Sequence, residues 1–336
     1  EELLDTRLTE RHFPDGTNEQ LLDQWRTETP LVDEVSLWRG KTIFYVKGSG
    51  TLPVEQNHAP TTPKSTTPRK VGPTGNRVRK IVEICSFTLA MTAAALASTT
   101  IPWTAMTPIS IEQGFDLLTE TGRQNAEDYL RKEKPDLIVA EWMCDPFSQM
   151  QNVNIGKGGL TSERILEKRQ KHSKLVNWIA RQERWQRNRN GHWLGEQPER
   201  CGSWSLGATQ EMQRENWNTV FDMCNEDAAG LKDPPTGRPI RKRTKLNHSS
   251  GVLHRRFSKL LCPGHKDHRH IEGSTKIKLP DGSWKTINTS VFAGWYTPKF
   301  CRNIVDAFEE EFRLEEAAKQ HADKFQHCLL YTSPSP

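Results

Sequence analysis

Apolar positions along this chain fall into two alternating periodicities. KIVEICSF (80–87) and DLIVAEWMC (136–144) are short, β-branched apolar runs and read as buried strands of parallel type. Around them the spacing becomes helical. TLAMTAAALAST (88–99) predicts an Ala-rich helix, and GFDLLTETGRQNAEDYLRKEKP (114–135) predicts an acidic turn, then an amphipathic helix stopped by Pro135. A long helix is expected over 161–189, capped by Thr161 or Ser162, with Ile165, Leu166, Leu175, Val176 and Ile179 in its inner stripe. HWLGEQP (192–198) and TVFDMC (219–224) follow, then a Pro/Gly/basic segment, and a last helix over 298–320. Strands alternating with helices predict an α/β fold with a doubly wound, mostly parallel sheet. Ligands of such sheets bind beyond the carboxyl ends of the strands, where Cys85 and Cys144 both fall.

The flanks have a different character. Residues 1–50 hold a helix-like NEQLLDQWRTE (18–28) and a strand-like KTIFYVKG (41–48), with no legible role. Residues 51–78, rich in Pro, Thr and basic side chains, cannot bury a core and read as a disordered linker. The packed domain is expected over 79–315, with the end of its last helix at 316–327. The final CLLYTSPSP (328–336) resembles translated sequencing adapter and carries no functional weight; the chain reads as a piece of a longer frame.

Composition adds three bounds. A mean hydropathy of −0.74 with 34% hydrophobic residues confines the core to part of the chain. A net charge of +5 permits a polyanionic partner, and no apolar run approaches the roughly 18 residues of a membrane span. Seven cysteines, odd in number and without framework spacing, point to a reduced intracellular compartment. RKRTK (241–245) suits either nuclear import or phosphate contact.

A thiol at a strand end before Asp-Pro, as at Cys144, is either a small hydrophobe or a nucleophile presented over the sheet. CDPFSQMQ (144–151) resembles the nucleophile loop of DNA (cytosine-5) methyltransferases, Pro-Cys-Gln-Pro-Phe-Ser. Cys144, Pro146, Phe147 and Ser148 match it, while Met143 and Asp145 replace the proline and glutamine. LGEQP (194–198) resembles that family's Glu-Asn-Val/Pro motif, with Glu196 at the acidic position. Gly237, Pro239, Arg241 and Arg243 loosely match its Gly-x-Pro-Gln-x-Arg-x-Arg segment. VEICSFTLAMTAA (82–94) stands where the cofactor loop belongs, and GFDLLT supplies an acidic turn at Asp116. These segments keep the family's order over 79–313, and their phrasing also resembles methyltransferase-like segments of protist retroelement polyproteins.

The resemblance implies a Rossmann-like methyltransferase fold that transfers a methyl group from S-adenosylmethionine to cytosine in DNA. Cys144, Glu196, Arg241 and Arg243 would be catalytic, and Glu83, Cys85, Ser86, Phe87, Glu112 and Asp116 would bind the cofactor. Thiolate addition at C6, with the carboxyl group at N3, makes C5 nucleophilic; the base must first leave the duplex. The chain departs from the pattern in CSFTLAM, which lacks the glycine that lets backbone approach a cofactor, and in Phe87, where a small residue is expected. The alternative is a non-catalytic nucleic-acid-binding module of a retroelement polyprotein.

The long helix interleaves basic residues with Trp178 and Trp185, and Trp193 follows it. Lys168, Lys171, Arg181, Arg184 and Arg187, with Lys242, are expected to contact nucleic acid, against the alternative of a solvated face over core tryptophans. Only about 45 residues separate Leu246 from Val291, little room for base readout, so contact mainly to phosphate is expected. LCPGHKDHRH (261–270) offers Cys262, His265, His268 and His270 as zinc ligands, or is a His-rich loop without metal.

Overall fold

The computed structural model describes residues 32–38, 41–46, 77–86, 88–278 and 283–331. The helix expected over 18–28, most of the linker (51–76), Phe87 and the last five residues lie outside them. Strands β1 (Val32–Trp38) and β2 (Lys41–Val46) pair antiparallel, and the second coincides with the strand-like KTIFYVKG.

Six strands form the main sheet: β3 (Arg79–Ile84), β4 (Trp103–Ala105), β5 (Leu137–Ala140), β6 (His192–Pro198), β7 (Trp217–Asp222) and β8 (Arg243–His248). Their spatial order is β4-β3-β5-β6-β8-β7. β4, β3, β5 and β6 run parallel, whereas β8 runs antiparallel to both its neighbours. The chain thus steps outward from β3 to β4 and then returns to place β5 on the other side of β3. That reversal is the switch point of a doubly wound sheet, and in such sheets ligands bind beyond the carboxyl ends of the strands that flank it, here β3 and β5. The expectation of a mostly parallel, Rossmann-like α/β sheet holds.

Helices cover both faces because each parallel strand is apolar on both sides. On one face Ile81, Val139, Leu194 and Leu246 pack against α1 (Ala90–Ala97), α6 (Gly251–Phe257) and α8 (Pro298–Tyr331). On the other, Val82, Ile138, Ala140 and Trp193 meet α2 (Glu120–Glu133), α4 (Gly159–Asn188) and α5 (Gly207–Glu215). A fully buried Ile, Leu or Val side chain contributes roughly 1.5–3 kcal/mol. Small residues let α1 lie close to the sheet, with Ala90, Ala93 and Ala94 all sealed in the core. Between β5 and the long helix sits a short helix, α3 (Gln149–Gly156). A further small hairpin, β9 (Ser274–Lys278) with β10 (Trp284–Asn288), leads into α7 (Thr289–Phe292).

Two sequence expectations for α4 are corrected. The helix begins at Gly159 with Gly158 as its cap, ahead of Thr161 and Ser162. Leu166 is 50% exposed, while Ile165, Leu175, Val176 and Ile179 are buried as expected. At 3.6 residues per turn, Leu166 lies beyond the edge of a stripe centred on Val176 and Ile179. Residues 243–248, which the sequence shows only as part of a Pro/Gly/basic segment, form β8. Thr244, Leu246 and His248 are fully buried between flanking strands that Lys245 and Arg243 only border.

Candidate active site

The loop after β5 is short and tightly held. Pro146 starts a single 3-10 turn over Asp145–Phe147, and the Ser148 hydroxyl then accepts from Gln151 N–H to cap α3. Phe147 N–H donates to Cys144 O at 3.0 Å. From α4, Lys168 Nζ reaches Asp145 Oδ2 at 2.6 Å, and Arg169 Nε donates to Pro146 O at 2.6 Å. The Gln197 amide donates to Trp142 O from β6, and the Trp142 indole N–H donates to Ser203 Oγ at 3.1 Å. A proline before the cysteine is therefore not what orients the turn; α4 and β6 clamp it.

Strand alternation decides what faces what. Glu83, Glu141 and Glu196 occupy the carboxyl ends of β3, β5 and β6 and share parity with Ile81, Val139 and Leu194, so all three project to the α1/α8 face. Glu83 is sealed, with Oε1 accepting from Thr92 N–H in the first turn of α1 at 2.6 Å, a favourable place for a carboxyl group. Its Oε2, and Oε1 of Glu141, are buried and without a hydrogen-bond partner. Burial raises the pKa of both, and for Glu141 the nearby Glu83 and Glu196 add to it, pushing it well above the ordinary carboxylate range.

Glu196 is also buried, but both of its oxygens are engaged. Lys242 Nζ lies 3.2 Å from Oε1, and the Tyr296 hydroxyl donates to Oε2 at 2.7 Å. Burial, then Glu141 and Glu196, hold the Tyr296 hydroxyl well above the usual phenol range, so it stays a donor. Cys144 is exposed at the rim. The atoms crowded round its sulfur nonetheless push the thiol up to about 11; Cys201, Glu196 and Asp145 add to the rise, and Lys242 opposes it. Cys144, Glu196 and Lys242 thus lie close enough to feel one another's charge. Cys201 sits beneath, its Sγ 4.0 Å from Cys144 O and 3.1 Å from Ser203 Oγ.

Arg241 and Arg243, expected beside the cysteine, point elsewhere. Arg243 makes a two-pronged ion pair with the buried Asp222, and Arg241 is half exposed, 3.9 Å from the same carboxylate. Lys242 lies between them and so projects to the opposite face, onto Glu196. The charge is one residue away from its expected position, and Lys242, assigned to nucleic acid, belongs to this cluster.

Of the expected cofactor residues, Glu83, Cys85 and Ser86 gather at the end of β3. Cys85 is pushed up to about 12 by burial, then by Glu141 and Glu112. Glu112 is exposed in the turn after β4. Asp116 serves its own turn instead: Oδ1 accepts from Leu118 N–H and its carbonyl from Thr119. Helix α2 starts so close to it that a Cβ on Gly122 would stand 1.9 Å from Asp116 O. The glycine-free loop has a conformational signature. Cys85 and Leu89 adopt φ values of +59° and +51°, a region that costs a residue with a Cβ about 1–2 kcal/mol.

Most of the helix residues expected to contact nucleic acid are held in ion pairs. Lys168 pairs with Asp145, Lys171 with Glu167, Arg184 with Glu211, and Arg187 with both Glu183 and Glu215. Arg181 is exposed. Trp178 and Trp193 are core residues, and Trp185 is covered by the guanidinium groups of Arg131 and Arg189 at 4.1 and 5.0 Å. None of the three offers a free face to a base.

Of the four expected metal ligands, Cys262, His265 and His268 converge and His270 does not; the fourth place is taken by Cys224. Sequence reading also passed over Glu141 and Tyr296. Glu141 carried a signal, since it continues the inward alternation of Leu137 and Val139. Tyr296 and Cys224 carried none, lying 100 residues from Glu196 and 38 or more from Cys262, His265 and His268 respectively. Among the described residues no helix is long and apolar enough to cross a membrane. In comparisons with known proteins, no family model matches the chain and no curated protein matches it.

Proposed function

We propose that residues 79–315 form a cytosine-5 methyltransferase-like domain that takes S-adenosylmethionine and acts on DNA. The observation that carries this reading is the convergence of Cys144, Glu196 and Lys242, from three separate segments, at the carboxyl edge of the sheet beside its switch point. Buried carboxyl oxygens on Glu83 and Glu141 lack a hydrogen-bond partner at the neighbouring strand ends, where a donor group of a ligand would satisfy them. Those two residues, with Ser86, would hold the cofactor, which when bound supplies an electrophilic methyl group. The methyltransferase form of the Rossmann-like fold is part of the same proposal.

The chain's own groups have distinct tasks. Cys144 Sγ, as thiolate, adds to C6 of an extruded cytosine, and the new S–C bond shifts the electron pair to C5. Glu196 holds or protonates N3. Lys242 opposes the rise in the thiol's pKa and balances the Glu196 charge. With a methyl group on C5, a water molecule would take the C5 proton, and the S–C6 bond would break with its electron pair returning to Cys144 Sγ, which restores the ring. Reaching Glu196 requires the base to displace the Tyr296 hydroxyl or the Lys242 ammonium.

A second reading, a non-catalytic nucleic-acid-binding module of a retroelement polyprotein, is favoured by the non-glycine residues at positive φ in the cofactor loop. One experiment separates the two. With S-adenosylmethionine present, a 5-fluorocytosine duplex is expected to trap the folded chain as a covalent adduct that Cys144→Ser abolishes. Absence of an adduct, together with salt-sensitive DNA binding and no calorimetric affinity for S-adenosylmethionine, establishes the second reading instead.

A further inference from the structure

Away from the sheet's switch point, the turn after β7 meets the loop between α6 and β9. Asp222 N–H donates to Leu260 O at 3.1 Å, the Cys262 N–H donates to Asp222 Oδ2 at 2.9 Å, and Asn225 Nδ2 donates to Leu261 O at 2.8 Å. These bonds bring Cys224 against Cys262, His265 and His268. Cys262 Sγ is 3.1 Å from His268 Nε2, which is 3.3 Å from Cys224 Sγ. One donor atom from each of the four residues lies within 4.8 Å of every other.

We propose that Cys224, Cys262, His265 and His268 bind one zinc ion as a closed structural site. Two sulfurs and two imidazole nitrogens are a donor set zinc prefers, and a tetrahedron with ordinary Zn–S and Zn–N bonds has edges of about 3.3–3.8 Å. The two closest separations, 3.1 and 3.3 Å, lie at or just under the short end of that range, and the widest, within 4.8 Å, needs to contract by at most about 1 Å. A thiol–imidazole hydrogen bond accounts for the two short contacts but not for His265, whose Nε2 is sealed from solvent without a partner.

The surroundings fit a thiolate ligand. Gly264, at φ +92°, turns its N–H toward Cys262 Sγ at 3.3 Å, the kind of outer bond that orients a metal-bound sulfur. No side chain with a Cβ adopts that φ without strain. The loop needs an anchor, because Leu261 and Ile271 at its two ends are 45% and 36% exposed and give it little core. Four protein donors leave no open position, so the ion's role is to hold the fold rather than activate water. What it holds is specific. Arg269 N–H donates to Pro239 O at 2.8 Å and Arg241 N–H to Arg269 O at 3.1 Å, so the metal loop braces the strand that delivers Lys242.

The test uses the full chain purified from zinc-supplemented medium. Elemental analysis is expected to give one zinc per chain, and cobalt replacement the visible absorption of a tetrahedral site with sulfur ligands. Cys224→Ser and His268→Ala should lose the metal, whereas His270→Ala should keep it. Because the first two variants risk misfolding, the wild-type chain supplies a second readout. Alkylation of Cys262, followed by mass spectrometry, should accelerate at least tenfold on chelation and slow again on adding zinc. A folded chain that binds no zinc, His270→Ala losing it as fully as Cys224→Ser, or Cys262 alkylation indifferent to chelator would each overturn the proposal. None of these readouts depends on methyl transfer.

Discussion

Lys242 Nζ and Glu196 Oε1 stand 3.2 Å apart, and only about a tenth of either side chain meets solvent. The pair ties β6 to the residue just before β8. Breaking a buried ion pair from one side leaves a charge without a partner, at a cost of about 3–5 kcal/mol. Lys242→Met is therefore expected to lower the unfolding free energy by about that amount in urea titration. The double variant Lys242→Met/Glu196→Gln, which removes both charges, should recover most of it.

Cys144 thiolate is scarce at neutral pH. With the thiol near 11, roughly a thousandth is ionised at pH 8. Its iodoacetamide reaction rate should keep climbing from pH 8 to 11, where a free cysteine levels off near pH 9. Lys242→Met should slow the reaction at pH 8, and Glu196→Gln should speed it. A rate that plateaus by pH 9 would show that the crowding around the sulfur is not felt by the reacting thiol.

Two buried histidines make the fold acid-sensitive. Burial, then Lys168, pushes His172 down to about 4; burial, then His254, pushes His248 down to about 3. In the unfolded chain both take up a proton near pH 6.5, while in the fold they stay neutral until much lower pH. Stability is therefore full above pH 6.5 and falls as the pH drops toward 4 and then 3, by up to about 1.4 kcal/mol per pH unit for each. Denaturant titrations at stepped pH should show this slope, and His172→Gln should remove its share between pH 6.5 and 4.

Lys134 closes α2 in the left-handed region, at φ +52°, with its side chain exposed. Glycine relieves that backbone without removing a buried contact. Lys134→Gly is expected to raise stability by about 1 kcal/mol, read as a higher melting temperature.

Much of the scaffold could be read along the chain. β3 and β5 and the helices α1, α2, α4 and α8 all carry a dominant period, because parallel strands buried on both faces are continuous apolar runs and long helices repeat their inner stripe. β8 could not, since its Arg, Lys, Asn and His read as loop; hydrogen bonding to two neighbours, not apolar content, makes it a strand. Cys144 and Glu196 were singled out from local motifs, Cys144 just past a legible strand and Glu196 within β6, whose His, Glu, Gln and Pro hid its strand character.

The amino-acid order by itself determined the alternation of strands and helices and the placing of Cys144 and Glu196 toward the carboxyl edge of the sheet. Only the tertiary structure decided which charge meets them and which cysteine and histidine side chains cluster. Lys242 rather than its arginine neighbours faces Glu196 because a strand sends successive side chains to opposite sides. Cys224 rather than His270 joins the Cys/His cluster because hydrogen bonds between two distant turns, invisible to any local spacing, bring it there.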